Sequence, residues 1–470
     1  LKWISARRLN LGAHARVYRQ TPEQMQNSLE PDMRLDDLYL WYLENPQVPQ
    51  LVGALKLVAA GKGVSLRYDQ DWLVNGFALS EDLPLVDTEF LPLGRFLTDV
   101  PRAVGAVDDA RPDRWGEKVI RFVDKPQRLS LMEYLYYAGD DRFGALGVST
   151  SPIQYVPRTS SPLPRLEDAQ QLSEVVAKIE ASESLTALET KIIAGGGSPL
   201  GGAKPKALIS IDGQQWVIKF FNNEPVDAPL VEHATMTLAK RAGITVAETK
   251  VIAIAGLHAL LIRRFDRGPG RRIHSISAGT AIRAAAPNGD SLQMGYPEVA
   301  RLLRRVGITL ANVNQQDAQE LFRRMVFNIL IDNTDDHEKN HSLLVIHPFE
   351  HGRLKLAPAY DVLPANSGQG YQEFICGSLG QESTLENAMS QCDAFSLLPD
   401  AAADQILQVI TVVNNWKLHF SQTGVTPKDI DSLAQQIDGA YLLNQRMNFD
   451  ASKFKNLPTK KIRSSPFKTK

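Results

Sequence analysis

The sequence predicts an α+β protein in which a small mixed module precedes a strand-rich lobe and then a larger helical lobe. Three observations predict it. Short apolar runs that read as strands fill residues 38–68. Strand pairs flanking one amphipathic helix occupy residues 207–263, and helical periodicity dominates from Tyr296 onward. A chain of 470 residues is also too long for one compact core. The expected units are a basic extension at 1–34, the first module at 35–155 and the strand-rich lobe at 156–270. The helical lobe follows at 271–450, and a basic tail at 451–470.

Each element has its own signal. Leu38–Leu43 and Val52–Leu57 read as two strands joined by a linker with two prolines, and Val64–Tyr68 adds a third. Pro112-Asp113-Arg114-Trp115 opens a helix with proline in the first turn. Leu129–Tyr137 reads as a second helix, ended by Gly139. The Ser/Pro-rich stretch Ser149–Pro164 breaks all periodicity and marks a boundary. Leu166–Ile179 is again helical in pattern. Ala207–Ile211 and Trp216–Phe221 flank Asp212-Gly213, a strong hairpin turn. Leu230–Arg241 is an amphipathic helix closed by Gly243, and Lys250–Ala255 with Leu257–Arg263 forms a further strand pair.

Composition narrows the function classes. Lys and Arg number 52 against 53 Asp and Glu, so net charge exerts no pull toward nucleic acid or an anionic membrane. The longest apolar run, Val251–Ile262, is too short to span a bilayer, and no membrane partner is expected. No secretory signal pattern opens the sequence. Two cysteines, Cys376 and Cys392, make neither a disulfide framework nor a thiolate zinc site, which fits a reducing cytoplasm. The basic ends read either as solvated segments or as arms that dock phosphate or a partner.

The chemistry concentrates in four places. Gly195–Lys206 is rich in glycine, so backbone N–H groups can approach phosphate oxygens, and Lys204 and Lys206 add charge. It lacks the Lys-Ser/Thr pair of a P-loop, and a flexible hinge is the bland alternative. Lys219 is a single charge on the apolar strand Trp216–Phe221. It is either a snorkelling edge residue or the partner of Glu232 one loop later. Asp332, Asp335, Asp336 and Glu338 crowd into seven residues with His337 and Lys339. That stretch is either a solvated polar loop or a Mg2+ site held near the core. Asp335 and Asn340 have the spacing of a kinase catalytic loop, and Asp361 follows where a second metal ligand would stand.

In combination these motifs resemble HipA-type serine/threonine kinases, the toxins of bacterial HipAB toxin–antitoxin systems. The residues that carry the resemblance are Leu200–Lys206, Val217-Ile218-Lys219, Arg264-Phe265-Asp266-Arg267, Asn333–Asn340 and Pro358-Ala359-Tyr360-Asp361. Val52-Gly53, Pro112–Gly116 and Asp141–Leu146 fall where the family has its N-terminal subdomain. The longer YjjJ-like branch is an alternative, given the extra N-terminal residues. The resemblance implies a bilobal protein-kinase-like fold using ATP and Mg2+. It makes Asp335 the catalytic base, Asn340 and Asp361 the Mg2+ ligands, and Lys219 the phosphate anchor. Gly201, Gly202, Ala203, Lys204 and Lys206 would cover the phosphates, with Arg263 and Phe265 framing the adenine and His337 and Lys339 beside the γ-phosphate. Ser198 is the implied autophosphorylation site, although Pro199 occupies the family's serine position. Asp336 stands where some relatives have Gly, and it either adds metal affinity or is solvated. The implied partners are a protein substrate such as an aminoacyl-tRNA synthetase and a helix-turn-helix antitoxin, with DNA reached only through that complex. A pseudokinase binding module and a Mg2+-dependent nuclease are the competing classes.

Overall fold

The computed structural model describes residues 35–92, 101–158, 162–194, 202, 204–221, 224–286, 292–349 and 353–455. The basic extension at 1–34 and the tail from 456 onward lie outside these residues, as do Ser198, Pro199, Gly201 and Ala203.

The first module is a sheet of β1 (Asp37–Tyr42), β2 (Gln50–Val58), β3 (Gly63–Tyr68), β4 (Glu89–Phe90), β5 (Arg102–Ala103) and β6 (Leu146–Ser149). Its order is β4-β3-β2-β1-β6, with β5 paired to β3 in parallel. Leu38, Leu40, Val52, Leu55, Val64 and Leu66 are all buried in the core of this sheet. Three helices complete the module: α1 (Gln70–Asn75), α2 (Arg114–Val123) and α3 (Leu131–Tyr137). Asp113 is the N-cap of α2, so Pro112 precedes the helix rather than sitting in its first turn. Helix α3 starts two residues later than its apolar pattern, because Ser130 and Glu133 form a capping box there.

The strand-rich lobe is one antiparallel sheet, β7 (Lys206–Ile211), β8 (Gln214–Phe220), β9 (Thr249–Ile254) and β10 (Leu257–Arg263), in the order β7-β8-β10-β9. Asp212 and Gly213 both have positive φ, 50° and 73°, which gives the β7–β8 turn the twist its strands need. Helices α4 (Ala169–Glu180) and α5 (Ala187–Ala194) precede the sheet. Leu172, Val175, Val176 and Ile179 of α4 pack with Ile209, Trp216, Ile218 and Leu261. Trp115 and Val119 of α2 enter the same apolar cluster, so a helix of the first module is built into the core of this lobe. Helix α6 (Ala228–Arg241) crosses beneath the sheet, capped by Asp227 and followed by Gly243 at φ 75°.

The two lobes join through Arg264–Arg267 and the hairpin β11 (Arg267–Gly268) and β12 (Arg271–Arg272). Beyond lies the three-stranded sheet of β13 (Ser275–Ser277), β14 (Ser342–Val345) and β15 (Leu354–Leu356). The helices here are α7 (Ala278–Ala285), α8 (Tyr296–Val306), the central α9 (Val313–Leu330), α10 (Leu385–Met389), α11 (Pro399–Val413), α12 (Trp416–Gln422), α13 (Pro427–Ile437) and α14 (Ala440–Asn448). Phe322, Met325, Val326, Phe327, Ile329 and Leu330 bury the C-terminal half of α9, whose first half carries polar residues such as Gln315, Gln316 and Gln319. No described helix is long and apolar enough to cross a membrane.

Two quoted sequence motifs prove to be each other's partners. The buried Asp266 carboxylate accepts the Gly144 N–H at 2.8 Å and pairs with Arg264 at 2.7 Å and Arg267 at 2.8 Å. Arg264 in turn donates to the backbone carbonyls of Asp141 at 2.6 Å and Arg142 at 2.9 Å. Arg264-Phe265-Asp266-Arg267 and Asp141–Gly144 thus fasten the first module to the connection between the lobes.

Candidate active site

Lys219 is buried on β8, opposite Lys206 of β7 in the strand register. Helix α6 brings Glu232 beneath it. The Lys219 ammonium donates to Glu232 Oε1 at 2.8 Å and Oε2 at 3.1 Å, and to Asp361 Oδ1 at 2.5 Å. The snorkelling alternative is therefore excluded. Burial works against the charge on Lys219, but the Asp361 and Glu232 carboxylates outweigh it and hold its pKa above the ordinary value. Burial likewise pushes Asp361 up, while Lys219 and Lys206 pull its carboxyl well below the usual range and keep it ionised. Lys206 shows the opposite balance. Burial, reinforced by repulsion from Lys219, brings its pKa down to about 8.

The carboxylate-rich loop follows α9 directly. Asp332 turns the chain with φ 60°, and its side chain accepts the Ser367 N–H at 3.1 Å. Asp336 is 2% exposed, which corrects both expectations for it. Rather than being solvated or adding metal affinity, it faces the core. Its Oδ2 accepts from the Tyr296 hydroxyl, from the Asn328 amide at 3.0 Å, and pairs with His341 Nε2 at 2.8 Å. Burial raises the Asp336 carboxyl, but His341 and these hydrogen bonds bring it below the ordinary value. Asp335, next in the chain, is exposed. The carboxylates thus crowd in sequence and diverge in space: Asp332 and Asp336 brace the loop from inside, while Asp335 is exposed. The Asn340 N–H closes the loop on His337 O at 2.9 Å, and the Asn340 side chain reaches back toward Asp335 O at 3.5 Å. The Tyr360 hydroxyl donates to Lys339 O at 2.7 Å, tying this loop to the segment that carries Asp361.

Of the glycine-rich segment, Gly202, Lys204 and Lys206 are described. Gly202 has φ 95°, a conformation that favours glycine, and a Cβ there would also push the Lys206 amino group aside. Its N–H donates to Asp113 Oδ2 at 3.0 Å, and its carbonyl accepts the Trp115 N–H at 3.1 Å. Lys339 of the carboxylate-rich loop forms an ion pair with the other Asp113 oxygen. The structure therefore gathers Lys206, Lys219, Glu232, Asp361, Gly202 and Lys339 around one cleft, with His337 close enough to lower Asp361. It does not bring Lys204 or Arg263 into that group. Lys204 pairs with Glu224 and lies 5.3 Å from the Phe221 ring, while Arg263 pairs with Glu248 at 3.3 Å and Gln214 at 3.0 Å. The Phe265 ring packs between Phe143 and Tyr360, at 5.4 Å and 5.5 Å. Asp113 was not anticipated. The Pro-Asp pair before a helix signals a cap, but nothing in it announces a partner 226 residues away.

The donor set suits a hard cation shared with a phosphate ligand. Asp361 offers a carboxylate oxygen kept ionised by Lys219, and Asn340 an amide oxygen. Among the described residues, no group of three or more His, Cys, Asp or Glu is arranged to hold a metal alone. Mg2+ commonly takes one or two protein oxygens and completes its shell with water and substrate phosphates, which is compatible with this arrangement.

Comparison with known proteins gives two family matches. Residues 198–416 match the HipA-like C-terminal domain, and residues 48–149 match the HipA N-terminal domain. A protein of Sinorhizobium fredii named "Putative kinase Y4dM" is 33% identical over 163 residues, covering 32% of this chain and 37% of that protein. A "Putative kinase" of Haemophilus influenzae is 32% identical over 141 residues, covering 28% of this chain and 39% of that protein. The chain thus spans well under half the length of these curated relatives. A solved complex from Shewanella oneidensis, of HipA with HipB and operator DNA, aligns with TM-score 0.61 and 16% identity. That alignment covers 90% of this chain and 100% of the other, and it shows a shared fold, the bilobal kinase-like one.

Proposed function

The chain belongs to the HipA family, and from that premise we propose that it is an ATP- and Mg2+-dependent protein kinase acting on a Ser or Thr hydroxyl. The observation that carries the reading is Lys219, buried between Glu232 and Asp361. A strand lysine paired to a helix carboxylate is the arrangement that presents an ammonium to the α- and β-phosphates of ATP. Lys206 and the Gly202 backbone extend that charged surface along the glycine-rich segment. Mg2+ held through Asp361 and Asn340 would neutralise charge on the phosphates.

The remaining chemistry is positioning. Asp335 stands exposed on a loop braced by Asp332 and Asp336, so its carboxylate can accept the proton of an acceptor hydroxyl without the loop yielding. The hydroxyl oxygen bonds to the γ-phosphorus, the bond from that phosphorus to the bridging oxygen breaks, and ADP departs. In this reading His337 and Lys339 would stabilise developing charge on the transferred group. Family membership further supports an aminoacyl-tRNA synthetase or similar translation protein as acceptor, self-modification at Ser198, and a helix-turn-helix antitoxin partner. The nuclease reading loses ground because Asp332 and Asp336 turn away from the cleft.

Radiolabelled ATP with Mg2+ and purified chain tests the proposal. Label should pass to protein, and Asp335→Ala should reduce transfer by roughly 10²–10⁴-fold with an unchanged thermal melt. Full transfer by that variant would remove Asp335 from the reaction.

A further inference from the structure

Asp113 departs from what its position predicts. An aspartate at a helix N-cap ordinarily accepts a hydrogen bond from the second or third amide of its own helix. Asp113 makes no such bond to α2. Its two oxygens point out of the helix instead. Oδ2 accepts the N–H of Gly202 at 3.0 Å, and Oδ1 forms the ion pair with Lys339. The next turn reinforces the first contact, because the Trp115 N–H reaches Gly202 O at 3.1 Å and Trp115 Nε1 reaches Lys206 O at 2.7 Å. Burial raises the Asp113 carboxyl, yet Lys339, Gly202 and Arg111 bring it below its ordinary value, so it stays ionised at neutral pH.

We propose that Asp113 is a positioning residue for phosphotransfer, one carboxylate that fixes the gap between the glycine-rich segment and the catalytic loop. The inference rests on the nucleotide-site reading above and adds to it that the first module builds one wall of that site. Both loops must touch the terminal phosphates of one nucleotide, yet they come from different lobes and share no strand or helix. Asp113 joins them through two charge-assisted contacts, each stronger and more directional than a neutral hydrogen bond. The α2 helix that carries it is anchored by Trp115 and Val119 in the strand-rich lobe, so the carboxylate has a rigid base.

Two substitutions separate its two contacts. Asp113→Ala removes both, and Asp113→Asn retains an oxygen for the Gly202 N–H while losing the charge that holds Lys339. Hydrogen exchange of the Gly202 amide in nucleotide-free protein should accelerate in Asp113→Ala and stay protected in Asp113→Asn. The KM for ATP should rise roughly tenfold or more in Asp113→Ala, and by less in Asp113→Asn. Combined with Lys339→Gln, Asp113→Asn should add nothing further, whereas Asp113→Ala should still raise KM. A residue serving only the fold would lower thermal stability without separating the two variants in exchange or KM. Unchanged Gly202 exchange in Asp113→Ala, in a chain that binds ATP, overturns the inference. If the wild-type chain binds no ATP while Asp113→Ala still frees Gly202, the kinase reading falls and the clamp stands.

Discussion

Around Lys219, one ammonium is shared by two carboxylates; around Asp336, one carboxylate is shared by three polar partners. Both groups are buried, the first at the cleft and the second in the core behind the catalytic loop. At the first, Glu232 and Asp361 compete for Lys219, with Lys206 close by, so either carboxylate can leave without stranding the ammonium. At the second, Tyr296, Asn328 and His341 all converge on a single oxygen of Asp336, and removing it takes the acceptor from Tyr296 and His341, while Asn328 keeps the Tyr296 hydroxyl at 3.1 Å. The difference teaches how to tell working charge from bracing charge. A cluster with alternative pairings can accept a ligand, whereas one with a single hub holds a loop still.

The widest separation between the two should come from hub and partner substitutions. Asp361→Asn is expected to lower phosphotransfer by roughly 10²–10³-fold while urea denaturation shows stability nearly unchanged, since Lys219 keeps Glu232. Asp336→Ala is expected to cost about 2–4 kcal/mol of stability in the same denaturation experiment, because buried donors of Tyr296 and His341 lose their acceptor at roughly 1–3 kcal/mol each. If Asp361→Asn proves the less stable of the two, the distinction between the clusters is wrong.

A pH titration sharpens the same contrast. Folded Lys206 releases its proton at about 8, against an ordinary value of 10.5. Between those values the unfolded chain holds a proton that the folded chain has given up, so stability should rise with pH from about 8 to 10.5. ATP affinity measured by calorimetry should move the other way, weakening as pH passes 8, because the phosphates lose a cation. Lys206→Met should flatten both profiles. The smallest effect belongs to the surface. Lys204→Ala removes a largely exposed ion pair with Glu224 and should change stability by less than about 1 kcal/mol.

What the sequence made legible follows from the range of each signal. Apolar strand runs and the Asp212-Gly213 turn are local signals, so β1–β3 and the strands of the β7–β10 sheet are legible within a few residues, whereas β4, β5 and β6 carry no such signal. Lys219 and Glu232 were paired in advance because strand and helix lie one loop apart and each had an identifiable face. Spacing to Asn340 singles out Asp335, but nothing in the pattern shows that Asp336 turns inward, because that is decided by its contacts with Tyr296, Asn328 and His341 in the folded chain. Asp113 was hidden for the same reason, since its partners lie in segments far along the chain. The start of α2 was misread because a proline just before an N-cap and one just inside the helix look alike without the backbone.

The seating of α2 in the core of the strand-rich lobe has a mechanical consequence. Trp115 and Val119 share one apolar cluster with Ile209, Trp216 and Leu261, so that helix cannot stay behind when the lobe tilts. Any closing motion around a bound nucleotide would have to carry the helix with it, and the strain would be passed along the chain into the sheet of residues 37–149. Occupancy of the cleft would then be felt on a surface that never touches the nucleotide, as a lever arm reports the turn of its axle.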